Sequence, residues 1–279
     1  MPIVRNYSRY GDITIFHRGL DEFLTAPVIA GCHSISYGDY LLDLRVVDRG
    51  SATTIVCFHA AINPEQTTLP IFVGAQITEF SGANVIYVSE PALDYGVNIG
   101  WYAGDNQRRV QSDLVRVFSH AIDALDSKHL IFYGSSAGGF AALFYSHRFS
   151  GSLAIVANPQ TNIVHYHEEQ VRHYVDTCWE GVVPPQSTAV FNVAELYSGG
   201  FPNHVAYLQN KHDDFHLEHH FTPWQKACAS WHGTHWKALI GDWGDGHSAP
   251  PQVLLQGTLA YAAEAAGDWD SFLTDPEFS

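Results

Sequence analysis

No other stretch narrows the fold of this chain as far as residues 129 to 147, HLIFYGSSAGGFAALFYSH, where an apolar run passes through a glycine-framed serine straight into a helix. Leu130, Ile131, Phe132 and Tyr133 suit a central parallel strand, and Ala137 to Phe144 opens a small-residue helix that can pack closely on a sheet. In the G-x-S-x-G pattern the chain turns so sharply that the serine hydroxyl stands alone at the tip, and glycines on either side keep the strand and helix from colliding. One register meets that demand, with Gly134 and Gly138 around Ser136. Centring the turn on Ser135 would put Tyr133 and Ala137 in the glycine places. Ser136 is therefore the candidate nucleophile.

The flanking chain reads as a mostly parallel α/β structure. From Thr53 onward strands alternate with helices: strands at Thr53 to Phe58, Ala83 to Val88, Leu153 to Val156, Val205 to Leu208 and Trp236 to Ile240, and a last helix at Pro251 to Ala266. Val110, Leu114, Val117, Phe118, Ala121 and Leu125 recur with helical spacing between Gln107 and Leu125. Residues 1 to 50 show short alternating segments such as Asp12 to Phe16 and Tyr40 to Val47, expected as antiparallel edge strands. Thr222-Pro223-Trp224-Gln225 carries the marks of a helix start, with a cap, a proline in the first turn and a glutamine three residues on. No repeat or long linker appears. The expectation is one domain over 1–279, with 161–200 as a small cap-like insertion.

Charge excludes one class of partner. Against 29 Asp and Glu the chain has 14 Lys and Arg, a net charge of −15 that repels a phosphate backbone, so no nucleic-acid partner is expected. Neither a signal-peptide core nor an apolar run long enough for a membrane span is seen, which points to a soluble, cytoplasmic protein. Cys32, Cys57, Cys178 and Cys228 lie far apart and form no C-x-x-C pair, so neither a disulfide framework nor a zinc site follows from them.

From Thr53 to Ala266 the chain resembles the α/β-hydrolases, and the resemblance implies a serine, an acid and a histidine in that order, each on a loop after a strand. The histidine would be His247, in GDWGDGHSAP between the last strand and the last helix, with Trp243 of that loop a candidate substrate contact. The acid falls in LQNKHDDFH. Setting Asn210 at the glycine of the family's H-G-x-x-D-x-x-V places Asp213 at the acid and His216 at the valine, with Asp214 one residue away as the alternative. The oxyanion donors would be the N–H of Ala137 and that of Ala60 or Ala61, because Phe58-His59-Ala60-Ala61 is similar to the H-G segment of many esterases with alanine in the glycine's place. His59 would orient that loop through its ring or simply cap the strand.

The histidines at 212, 216, 219 and 220 invite a metal, but a helix beginning at Thr222 would leave them in an irregular segment, and no H-E-x-x-H occurs. Neither metal nor cofactor is expected. GSSAGG, ANPQTNI at 157–163 and YLQNKHDDFH together resemble bacterial hydrolase-fold proteins associated with surface glycoconjugates, including the accessory-secretion acetyltransferase-like group. That resemblance would place Asn158 and Gln160 at a pocket rim, against the plainer reading of a polar turn ended by Pro159. The combined expectation is a serine esterase acting on a small-molecule or glycan-linked ester of short to moderate acyl length. Acyl transfer to a glycan hydroxyl and a non-catalytic hydrolase-fold module are the alternatives.

Overall fold

A computed structural model describes residues 4–63 and 67–278. Its strands are β1 (Thr14–His17), β2 (Gly31–Tyr37), β3 (Tyr40–Val47), β4 (Thr53–Phe58), β5 (Asn84–Val88), β6 (His129–Ser135), β7 (Leu153–Ala157), β8 (His204–Asn210) and β9 (Trp236–Gly241). They form one sheet in the order β1-β2-β3-β5-β4-β6-β7-β8-β9. From β5 through β9 every neighbouring pair is parallel. Strand β3 runs antiparallel to both β2 and β5. The outermost strand departs from the expected antiparallel edge, since β1 pairs parallel with β2. The 18–30 connection, which carries α1 (Leu20–Phe23), crosses over instead of closing a hairpin.

Period-two alternation sorts the strand side chains onto two faces. Val56, Phe58 and Phe132 join one core with residues of α2 (Val110–Ala124), α3 (Ala137–Ser146), α4 (Glu168–Cys178) and α5 (Val193–Ser198). Ile55, Cys57, Ile131 and Tyr133 join the other. The expected helix face is present in α2, whose Val110, Leu114, Val117, Phe118 and Ala121 are buried. The segment expected as cap-like contributes Ile163, Tyr174, Trp179, Phe191 and Tyr197 to that first core.

The chain from 214 to 227 differs from the expected start at Thr222. It is helical from Asp214, as α6 (Asp214–His216), a π-helical segment (Leu217–Phe221) and α7 (Thr222–Ala227). The cap is Asp213, whose carboxylate accepts from the His216 N–H at 3.2 Å. Pro223 has no N–H to give the carbonyl four residues back, and the wider π turn just before it absorbs that break. Helices α8 (Gln252–Ala265) and α9 (Trp269–Leu273) complete the second face, burying Leu255, Leu259, Trp269 and Phe272.

Between β6 and α3 the two framing glycines do what the sequence demands. A β-carbon on Gly134 would fall on the Gly138 carbonyl, and one on Gly138 would lie 2.5 Å from Phe58 O and 2.8 Å from His59 O. Gly257, exposed in α8, has nothing within 4 Å of such an atom. Gly138→Ala should therefore destabilise by at least about 2 kcal/mol through overpacking against backbone. Gly257→Ala should stabilise by up to about 1 kcal/mol by removing a helix-interior glycine. Urea melts of the two variants check this, and equal effects would contradict the packing account.

Candidate active site

Parallel strands bring their carboxyl-terminal loops to one edge of the sheet, and His59, Ser136, Asn158, Asp213 and His247 all lie on such loops. Ser136 has φ 53° and ψ −118°, a left-handed backbone that costs a non-glycine residue about 1–3 kcal/mol. Its N–H donates to Ala157 O at 2.9 Å, and its carbonyl accepts from Phe140 and Gln160, which hold the bend from β7 and α3.

Gln160 governs the serine hydroxyl. It is fully buried, and its Oε1 accepts from the indole Nε1 of Trp101 at 3.0 Å. An indole can only donate, so Nε2 must face the other way. There it donates to Ser136 Oγ at 2.7 Å and lies 3.1 Å from His216 Nε2. His216 Nε2 is then an acceptor, its proton sits on Nδ1, and Nδ1 donates to Asp213 Oδ1 at 3.0 Å. The other carboxylate oxygen accepts from His247 Nδ1 at 2.5 Å. The His216 and His247 rings stack with centroids 4.0 Å apart and planes 14° from parallel. Burial alone would raise the Asp213 pKa, but hydrogen bonds from both histidines outweigh it and hold the carboxylate well below its usual range. Burial pushes the His216 pKa down against the opposing pull of Asp213.

Of the two candidate acids, Asp213 meets the His247 ring, while Asp214 is exposed in the first turn of α6. Ser136 and His247 share no direct hydrogen bond among the described residues; the link between them runs through Gln160, His216 and Asp213. Serine and the His247 ring also differ in exposure, Ser136 being 7% exposed and the imidazole 39%.

The remaining expected site residues divide. His59 is fixed on both sides, with Nδ1 2.7 Å from Ala60 O and Nε2 accepting from the Glu90 N–H at 3.0 Å, so its ring sets the loop's course. The His59 N–H is occupied by Tyr102 Oη at 3.0 Å. Ala60 and Ala137 line one narrow crevice with His59, Gly100 and Trp101, whereas Ala61 is exposed and not part of it. Asn158 does not sit at a rim. It is buried, its Oδ1 accepting from Asn210 N at 2.7 Å and its Nδ2 donating to Ser248 O at 2.8 Å, which leaves no amide group facing a substrate. Trp243 likewise turns away, packing on the α8 and α9 core with its ring against Gly241.

His216, Trp101 and Asn210 are the site residues that motif reading passed over. Asn210 Nδ2 donates to Gly244 O at 2.8 Å and Gly246 O at 2.7 Å, tying down the loop that carries His247. An amide at the end of β8, where the family has glycine, was the signal for it. His216 lay at the family's valine position, and a polar residue there was the clue.

His216, His219 and His220 are helical while His212 lies in the turn before them, so the backbone of the run no longer argues against a metal, and Asp213, His216 and His247 bring one ligand atom each within 4.8 Å of one another. Their arrangement fits hydrogen bonding better. The rings are nearly parallel and both Nδ1 atoms address the carboxylate, so their lone pairs do not converge on one point as tetrahedral ligation needs. His212 is instead paired with Asp242 at 3.2 Å. No helix among the described residues is long and apolar enough to cross a membrane.

No protein-family model matches this chain, and no curated protein matches its sequence. Solved structures do match its fold. The capsule O-acetyltransferase of Neisseria meningitidis serogroup A, in a structure with CoA, superposes with a TM-score of 0.58 at 12% identity, covering 92% of this chain and 100% of that one. An S-formylglutathione hydrolase from Agrobacterium tumefaciens gives 0.57 at 13% identity, covering 85% and 94%. A Pyrococcus furiosus esterase gives 0.53 at 13%, covering 94% and 97%. The chain has the α/β-hydrolase fold.

Burial lowers the His59 pKa to about 4. Between the unfolded value of about 6.5 and 4 the unfolded chain takes up a proton that the folded chain refuses, so stability is lost as pH falls through that window, by up to about 3 kcal/mol. His59→Gln removes the titrating group. Its deficit against the wild type, measured by denaturant melts, should shrink between pH 7.5 and pH 4.5; a constant deficit would show that His59 is not held neutral.

Proposed function

We propose that the protein is a serine esterase that works through an acyl-enzyme, with Ser136 as nucleophile, His247 as general base and Asp213 as the acid that orients it. The observation that carries this reading is the 2.5 Å hydrogen bond from His247 Nδ1 to Asp213, because it puts the proton on Nδ1 and leaves Nε2 as the base of a partly exposed ring. His216, the other imidazole on the carboxylate, has its Nε2 committed to Gln160 and so is the poorer base. Ser136 attacks the ester carbonyl as its proton passes to His247 Nε2. The tetrahedral oxyanion is received by the N–H groups of Ala137 and Ala60, the His59 N–H being taken by Tyr102. His247 then protonates the departing alcohol, and water, deprotonated by the same nitrogen, releases the acid and restores Ser136.

Gln160 holds the hydroxyl as an acceptor, which leaves its proton free to point elsewhere. The imidazolium formed at His247 is stabilised by an Asp213 carboxylate that stays ionised throughout.

A second reading is transfer of the acyl group to a sugar hydroxyl. It is favoured by a ring surface beside His216, where Phe215 lies 4.2 Å from His167 and 4.6 Å from His219, side chains that can stack on and hydrogen-bond to a sugar. The fold shared with a capsule O-acetyltransferase agrees with it. Hydrolysis is the preferred outcome, because the 161–200 segment presents exposed Glu168, Glu169 and Asp176, charged side chains that hold water near this edge more readily than an apolar cover would.

A fluorophosphonate probe should label Ser136, and Ser136→Ala should abolish both labelling and short-chain ester turnover while the melting temperature stays near wild type. Labelling at Ser135 would refute the assignment. Asp213→Asn should lower kcat by about 10⁴, the scale seen when a triad imidazole loses its orienting acid, with Asp214→Asn mild beside it. Gln160→Ala should cost about 10²-fold, the size of a misplaced reacting group. Mass spectrometry of a short-chain acyl ester incubated with and without glycans separates the two readings; acylated glycan with free acid at background would establish transfer.

A further inference from the structure

A second cavity, of about 460 Å³, is walled by the start of α2, the end of α3 and the 179–190 segment, and shares no residue with the site around Ser136. Its walls gather cations in a chain that carries 29 acids to 14 Lys and Arg. Arg108, Arg109 and Arg148 all line it. Half of the arginines are paired with carboxylates among the described residues, as Arg5 is with Asp43 and Asp94, and Arg45 with Asp12. Arg109 and Arg148 are exposed and form no ion pair among the described residues. Arg148 is held with its guanidinium 4.8 Å over the Phe144 ring, a placement that fixes the charge at the wall without neutralising it.

Two further features have the same sign. Asp105, the acid in the wall, is already neutralised by Arg108 Nε at 2.7 Å. Arg108 itself is 3% exposed, and its Nη1 has no hydrogen-bond partner, the Asp94 carboxylate standing 4.0 Å off. Helix α2 begins at the cavity with Arg109 as its N-cap residue, but Asp113 lies in its first turn and the Val110, Ser112 and Asp113 N–H groups are bonded to the Arg108 and Arg109 carbonyls, so the free positive charge of this wall is that of the guanidiniums. Ser112 and Thr188 add hydroxyls to the lining.

We propose that this cavity binds a small organic phosphate. The volume exceeds what an inorganic ion fills and suits a molecule of sugar-phosphate size. A dianion meets two free guanidiniums, groups suited to phosphate oxygens. The uncharged part would rest among the hydroxyls of Ser112 and Thr188. Binding here does not rest on the reaction at Ser136.

Isothermal titration with glucose 6-phosphate, inorganic phosphate and glucose tests it on the full chain. Expected are saturable binding of the sugar phosphate, binding at least about tenfold weaker for inorganic phosphate, and none for glucose, with affinity falling as salt rises. The Arg109→Gln/Arg148→Gln double variant, altered only at exposed side chains, should keep its unliganded melting temperature and bind at least about tenfold more weakly, the scale of a lost charge-assisted contact. Ser136→Ala should bind as the wild type does. Failure of glucose 6-phosphate to bind, equal affinity for inorganic phosphate, or unchanged affinity in the double variant would each overturn the proposal.

Discussion

The site depends on one carboxylate being shared. Asp213 caps the helix that follows β8, accepts from the His216 ring on one oxygen and from the His247 ring on the other, and stays ionised in a buried place because those donors outweigh the cost of desolvation. Remove it, and the helix start and the tautomers of two imidazoles lose their common reference. A carboxylate with one partner could turn about its own bond. With both oxygens engaged it is held in plane, and the stacked rings can approach no closer than their 4.0 Å contact allows.

Much of this was legible in the sequence, and the reasons differ by element. The elbow was readable because its constraint is steric and local: only glycine fits where Gly134 meets Gly138, and where Gly138 meets β4. The parallel strands were readable because burial on both faces leaves near-continuous apolar runs. Strand β1 was misjudged in direction because alternation reports which face a residue takes and says nothing of which way its neighbour runs. The start at Thr222 was misread for a related reason. Its cap and proline signals are real, but a proline is also tolerated inside a helix where a π turn has already spent the bond it removes.

The site residues that were not legible are those whose meaning is set by a distant partner. Gln160 in ANPQTNI is a polar residue after a proline until Trp101, fifty-nine residues away in sequence, fixes which end of its amide faces the serine. Asn158, which the same motif made a rim candidate, proves to be a tie between β8 and the loop after β9. Behind the loop after β4, Glu90 is buried with its pKa raised to about 7 by desolvation, accepting from the N–H groups of Ala92 and Tyr102. Nothing in the local sequence marks it as part of the wall that supports His59.

The π-helical segment between His216 and Thr222 works as a phase shift. An α-helix advances by 100° per residue, so a stretch that accommodates one extra residue per turn rotates everything beyond it by about that angle relative to everything before it. Ahead of the segment the helix points Asp213 and His216 at the serine edge of the sheet; beyond it, the same helix turns Trp224 into the core beside Tyr207 and Trp236. An uninterrupted helix of this sequence could satisfy one of those directions. His216 and the core tryptophan thus sit on two faces of one rod joined through the π-helical segment, and the length of this segment is as much a part of the site as the side chains it carries.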